Sequence, residues 1–252
     1  MENYVLLTGA TSGIGLELAR IFARKQYNLI LVARNREKLL NTKLELEKAY
    51  SVNISVIDAD LSEAGAVDRI RKELEKIQVT VTHLINNAGV GYVDEFLAKD
   101  YEEDQRMIQL NLLSLTELTK YIARGMKERG HGYIMNVAST GAYHPGPYTA
   151  VYYATKAYVL SFTEALSIEM QPYHVKVSAL CPGATRTNFA SNAGRQDAKN
   201  AMSAELVANV AYKGMMKGKK TIVPGLQCKL FILIPKWIAK RLIAKYQLKY
   251  KR

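Results

Sequence analysis

Short runs of Val, Ile and Leu recur along this chain, separated by longer segments in which apolar residues return every three or four positions. The short runs are Tyr4–Thr8, Leu29–Ala33, Val52–Ile57, His83–Asn86, Gly132–Ala138, Val175–Leu180 and Lys220–Val223. They lack strict alternation, the pattern expected of strands covered on both faces. Between them the spacing predicts helices near 14–25, 35–49, 62–77, 100–128, 152–171 and 203–216. This alternation predicts an α/β fold: one doubly wound parallel sheet of about seven strands, with right-handed crossovers and helices on both faces. Two stretches break the rhythm. Thr185–Met202 is polar and is expected to form a mobile loop beside a pocket. The other is everything from Leu226 onward, so the expected organisation is one domain over 1–225 and a tail over 226–252.

Composition changes this picture in one place. A chain of 252 residues with 48% hydrophobic content can bury a core, and disorder is not expected. The net charge of +12 is local, however. The last acidic residue is Glu205; residues 206–252 carry 12 Lys or Arg and no acid, and the first 205 residues are neutral. A neutral domain with a basic tail points to a local surface contact and away from nucleic acid. Cys181 and Cys228 supply neither a disulfide framework nor metal-ligand spacing, and no signal peptide is evident at the N-terminus. The expectation is therefore a reduced, cytoplasmic setting and no metal.

Three clusters carry chemistry: a glycine-rich turn, the turn Asn86-Asn87-Ala88-Gly89, and Ser139 with Tyr152 and Lys156. Thr8-Gly9-Ala10-Thr11-Ser12-Gly13-Ile14-Gly15 follows the first strand and opens a helix. Glycines there allow a sharp turn and close approach to a pyrophosphate, and the free N–H groups of the helix start favour negative charge. The end of the second strand selects the dinucleotide. It reads Ala33-Arg34-Asn35-Arg36, without the carboxylate that would bind a ribose 2′-hydroxyl. A guanidinium grips a 2′-phosphate, so NADP(H) is expected ahead of NAD(H), with Arg34 the better candidate and Arg36 the second. Asp60 is a candidate acceptor for the adenine amino group; alternatively it just precedes a helix that Ser62 begins. The last cluster sets Ser139 at the end of the fifth strand and Tyr152 four residues before Lys156, one helical turn apart. An ammonium beside a phenol favours phenolate, and Ser139 can hydrogen-bond a substrate oxygen, so the group is suited to moving a proton.

As a set, these residues resemble the short-chain dehydrogenase/reductase family over roughly residues 3–225, with the flavour of hydroxysteroid dehydrogenases and broad-specificity carbonyl reductases. The resemblance implies a Rossmann fold with Asn111, Ser139, Tyr152 and Lys156 as its catalytic set, the tyrosine acting as general acid in reduction. Asn111 is implied to hold a water that links the lysine to solvent. Asn87, Ala88 and Gly89, after Asn86, resemble the turn that lies along the cofactor. Pro182, Gly183, Thr185 and Thr187 resemble the segment that meets the nicotinamide carboxamide, and Lys156 is implied to bind the nicotinamide ribose. His144, Pro145 and Tyr148 are expected to border the substrate pocket. The family usually forms homo-oligomers through the helices near 100–128 and 152–171.

The function expected is NADPH-dependent reduction of a ketone or aldehyde, with oxidation of a hydroxysteroid or lipid-like alcohol as the alternative. A silent dinucleotide sensor is the alternative from another class, although it would need no proton relay. In the tail, Ile234, Trp237, Ile238, Leu242 and Tyr246 share a helical face, with Ile243 opposite. Peripheral membrane contact, cover for the pocket and packing on a second subunit all remain open for it.

Overall fold

The structure, a computed structural model, describes residues 3–196, 198 and 200–250. The chain runs β1 (Asn3–Thr8), α1 (Gly13–Arg24), β2 (Asn28–Ala33), α2 (Arg36–Ala49), β3 (Ile54–Asp58), α3 (Ala66–Ile77) and β4 (Thr80–Asn86). It continues through α4 (Tyr101–Ile108), a π-helical segment (Gln109–Ser114), α5 (Leu115–Arg129), β5 (Gly132–Val137), α6 (Ala150–Glu169) and β6 (Val175–Leu180). The remainder is β7 (Thr185–Arg186), α7 (Asn188–Asn192), β8 (Met202–Ser203), α8 (Ala204–Met216), β9 (Thr221–Ile222), α9 (Leu226–Phe231) and α10 (Lys236–Gln247).

Seven strands form one parallel sheet in the order β3-β2-β1-β4-β5-β6-β9, the doubly wound Rossmann arrangement. Alternate residues of a strand face opposite sides. Val5 and Leu7 of β1 meet α1, α2 and α8 through Leu18, Phe22, Leu39, Val207 and Met215. Tyr4 and Leu6 face the other layer, where α3 and α5 supply Ile70, Leu74, Leu118 and Ile122. Both faces are thus buried, which explains the strands' near-continuous apolar runs.

Several expectations need correction. Helix α3 begins at Ala66, not Ser62, because Asp60 accepts from both the backbone N–H and the hydroxyl of Ser62 and makes a turn there. The single helix expected near 100–128 is two α-helices joined by the π-helical segment. Thr185–Met202 is no plain loop: β7 pairs with β8 and α7 lies between them.

The strand order reverses between β1 and β4, which are neighbours although their chain connections leave in opposite directions. Such a switch point opens a crevice at the carboxyl ends of the strands, where open α/β sheets bind ligands.

Candidate active site

The crevice is a cleft of about 640 Å³. Its floor begins where β1 and β4 end. Thr8 Oγ1 accepts from the backbone N–H of Asn87 and of Ala88, each at 3.0 Å, and Asn87 Nδ2 donates to the carbonyls of Thr8 and Gly9, each at 3.1 Å. These four bonds tie the glycine turn to the Asn87 turn. The approach is so close that a Cβ on Gly15 would lie 2.1 Å from the Gly9 carbonyl oxygen, and Gly9 itself has φ +66°. No side chain larger than hydrogen is compatible with that packing.

Helix α1 points its N-terminus at this floor. Ser12 precedes it without a side-chain capping bond, and Gly9, Ser12, Gly13 and Ile14 line the cleft. The first-turn N–H groups therefore face an open space with their partial positive charge. A phosphate-bearing dinucleotide fits this donor set. Thr11 and Gly15 stand outside the cleft wall, Gly15 buried beneath it. Arg34, Arg36 and Asp60 are likewise not part of the wall. Arg34 is largely in solvent, with Asp60 the nearest acid at 3.9 Å. Arg36 instead pairs with Asp58 at 2.8 Å, and Arg69 holds the second oxygen of that carboxylate at 2.7 Å. Of the two arginines, Arg34 is the one with its guanidinium uncommitted to a close ion pair.

Ser139 lies just past β5. Its Oγ accepts from Gly141 N–H at 3.0 Å, and its hydroxyl lies on the side of the cleft where it lowers the Tyr152 pKa. Tyr152 and Lys156 rise from the first turns of α6, both lining the cleft. Lys156 is buried and its Nζ donates to the Val137 carbonyl at 2.7 Å. Asn111, in the π-helical segment, donates from Nδ2 to Val90 O (2.9 Å) and to Thr155 Oγ1 (3.1 Å), while its Oδ1 accepts from Val90 N–H (3.0 Å). A Cβ on Gly89 would sit 3.3 Å from both Asn111 Oδ1 and Lys156 Nζ, so asparagine and lysine meet at that glycine. The widened π turn, a frequent mark of functional sites, is what aims Asn111 inward.

The electrostatics correct one expectation. In the protein alone the Tyr152 phenol is not acidified: burial raises its pKa, outweighing the opposing effects of the Ser139 hydroxyl and the charge of Arg195. Lys156, 5.9 Å from the Tyr152 ring centre and turned toward Val137, is itself pushed down to about 8 by burial. Desolvation disfavours both charged forms, phenolate and ammonium, and here it dominates.

The far wall is the less expected one. Pro182, Gly183, Thr185 and Thr187 border the cleft, with the Thr187 methyl placed against Gly13. Beyond them stand Phe189, Arg195 and tail residues including Phe231, Leu242, Tyr246 and Gln247. His144, Pro145 and Tyr148 do not line the cleft. His144 is buried elsewhere, its Nε2–H donating to the Phe231 carbonyl at 3.0 Å and its ring edge-on to Phe231, so it anchors the tail. Pro145 is exposed, and the Tyr148 carbonyl accepts from Asp94 N–H. Tyr153, with Ala157 one turn on where Tyr152 has Lys156, lines the wall together with Gln247. A spacing rule reads one helix at a time, and the tail's approach is a long-range event.

A parallel sheet with a phosphate-ready helix start and a Ser-Tyr-Lys group at its switch point, the lysine buried, marks a nucleotide-binding protein of the Rossmann class. The family described as short chain dehydrogenase matches residues 3–198, and the chain belongs to it. That family is one of dehydrogenases, and a member of it has been solved with NADPH.

Among its relatives, very-long-chain 3-oxoacyl-CoA reductase of Anas platyrhynchos is 33% identical over 71% of this chain. Mouse (Mus musculus) 17-beta-hydroxysteroid dehydrogenase type 3 is 29% identical over 72%. The matches span only 58% and 60% of those two proteins' lengths. A short-chain dehydrogenase from Sphingobium yanoikuyae, solved in complex with NADPH, superposes with a TM-score of 0.85 at 29% identity, covering 99% of this chain and 96% of that one. The bulky-bulky ketone specific alcohol dehydrogenase from Comamonas testosteroni gives 0.81 at 28% identity, covering 99% and 94%.

Proposed function

We propose that the protein is an NADPH-dependent reductase of bulky ketones or aldehydes, reversible as an alcohol dehydrogenase. The observation that carries this reading is the convergence of Ser139, Tyr152 and Lys156 on the cleft that the glycine turn floors. The relatives' names, a ketone-specific dehydrogenase, an oxoacyl-CoA reductase and a hydroxysteroid dehydrogenase, support a bulky, largely apolar carbonyl.

When bound, the nicotinamide supplies hydride to the carbonyl carbon. The chain's own residues handle the oxygen. Tyr152, kept neutral by burial, donates its proton to that oxygen, and Ser139 Oγ, which lines the same cleft, steadies the charge as it develops. Lys156, still protonated near neutrality with a pKa of about 8, provides the positive charge that favours the phenolate left behind. Asn111 holds the loop of Val90 beside that lysine. Arg34 is assigned to the 2′-phosphate and Asp60 to the adenine edge, with Arg36 in a supporting role.

The test follows NADPH absorbance across ketones, aldehydes, 3-oxoacyl thioesters and ketosteroids. Tyr152→Phe is expected to lower turnover by about three orders of magnitude while nucleotide binding, read by fluorescence, is retained. Full turnover by the phenylalanine variant would refute the assignment.

A further inference from the structure

The tail turns an apolar surface both inward and outward. Inward, Cys228, Ala239, Ile243 and Gln247 are buried against the domain. Outward, Leu226, Leu230 and Leu233 recur at i, i+4 and i+7, a stripe opposite Cys228, and are 72%, 60% and 76% exposed. Trp237, opening α10, is 62% exposed. Soluble surfaces scatter such residues singly; a concentration of large apolar side chains marks a contact site.

The charge around this stripe has one sign. Lys229, Lys236, Lys240, Arg241, Lys245 and Lys249 are all exposed, and none enters an ion pair among the described residues. The tail contains no Asp or Glu at all. A second copy presenting the same patch would set these cations against one another. An anionic surface with an apolar interior complements both the charge and the leucines. No helix among the described residues is long and apolar enough to cross a membrane, so the contact is an interfacial one.

We propose that residues 226–250 dock on the surface of an anionic lipid bilayer, with Leu226, Leu230, Leu233 and Trp237 entering the interface and the cations meeting headgroups. The docked segment is also the wall of the cleft. Leu242 lines the cleft and is still half exposed, and it rises from the same helix as Trp237. Resting on the carbonyl-reductase reading above, docking brings the cleft's rim to the lipid. The substrate class is then an apolar carbonyl compound dissolved in the bilayer, which enters between Leu242 and Tyr246.

Full-length protein is sedimented with phosphatidylcholine vesicles, with and without phosphatidylserine. Binding should require phosphatidylserine and weaken with salt. It should fall about tenfold or more in Leu230→Ser/Leu233→Ser/Trp237→Ser and in Lys240→Glu/Arg241→Glu. All five positions are exposed, so NADPH oxidation with a small water-soluble ketone should be unchanged; that arm reports on the reductase reading by itself. A vesicle-dissolved ketone should be reduced more slowly by the variants than by wild type. The proposal is overturned by absence of vesicle binding, by binding that the variants leave intact, or by wild-type dimers that the leucine-tryptophan variant splits into monomers. That last result would give the patch to a second copy.

Discussion

The glycine-turn side of the cleft is held by backbone groups and short polar side chains at strand ends, whereas the opposite side is an assembly of apolar contacts between segments far apart in sequence. On the first side, Thr8 and Asn87 exchange bonds at 3.0–3.1 Å across the β1–β4 switch point, and a single Cβ on Gly15 would break the fit. On the second, Phe231 is tied down by His144, and Leu242, Ile243 and Tyr246 cover what Phe189 leaves open. The difference teaches where each property resides. In the proposed reading, nucleotide binding and proton transfer sit on points that the sheet topology defines, so they tolerate little change. Substrate choice then sits on a surface that packing defines, where side chains can be exchanged with the chemistry left in place.

The largest test of the rigid side concerns Lys156, because its burial opposes its charge. Its folded pKa of about 8 lies below the ordinary lysine value of 10.5. Between those two values the unfolded chain binds the proton and the folded one does not, so stability rises with pH there; below about 8 the full penalty of burying the ammonium is present. The gain across the window is about 3 kcal/mol. Denaturant unfolding of wild type and Lys156→Met at pH 7.5 to 10.5 (roughly the titration window) should show the rise in the first protein and its loss in the second. The Met variant should also be inactive. Parallel slopes would mean that the lysine is not desolvated, and that this side of the cleft is no more strained than the other.

That contrast also explains how much of the molecule could be read in advance. The sheet, its strands and the position of Ser139, Tyr152 and Lys156 were legible because apolar runs and strand-end motifs are local signals. Local signals failed where distant groups compete. Asp60 captures Ser62 in a turn, and Gly65, with φ +80°, delays α3 to Ala66. The π segment at Gln109–Ser114 keeps a helical period and so leaves no trace in the pattern. In the tail the periodicity picked Trp237, Leu242 and Tyr246 as one face and set Ile243 opposite. The residues that α10 buries are Ala239, Ile243 and Gln247, while Leu242 and Tyr246 only edge the cleft, because small and slender side chains suit a crowded wall better than a tryptophan does. The resemblance places His144 at the border of the substrate pocket, yet its ring is spent on the tail instead.

A smaller effect is expected at the nucleotide's far end. Arg34 has no close carboxylate partner, Asp60 standing 3.9 Å away, whereas Arg36 is committed to Asp58 at 2.8 Å. Charge-assisted hydrogen bonds to a phosphate contribute about 1.5–3 kcal/mol. Arg34→Ala should therefore weaken NADPH by roughly tenfold to a hundredfold and leave NADH nearly unchanged. Arg36→Ala should cost less, with part of its effect on Asp58 and stability. Dissociation constants for both nucleotides by fluorescence titration decide this. Equal losses for NADPH and NADH would remove the 2′-phosphate assignment and leave the rigid side without its selectivity element.

The smallest effect probes the packed side, at Gln247. Its Oε1 is buried without a partner while the side chain lines the cleft, so a turn of the amide would offer that acceptor to something that enters. An unpaired buried carbonyl oxygen destabilises a protein by about 1–3 kcal/mol, and a substrate hydroxyl that reaches it recovers part of that. Gln247→Leu should lower kcat/KM about tenfold for a bulky ketone carrying a distal hydroxyl. For the matched ketone without the hydroxyl, kcat/KM should hold or rise, with turnover at saturation little altered for either. A uniform loss for both substrates would mean that Gln247 only props up the wall, and the packed side would then owe its selectivity to shape alone.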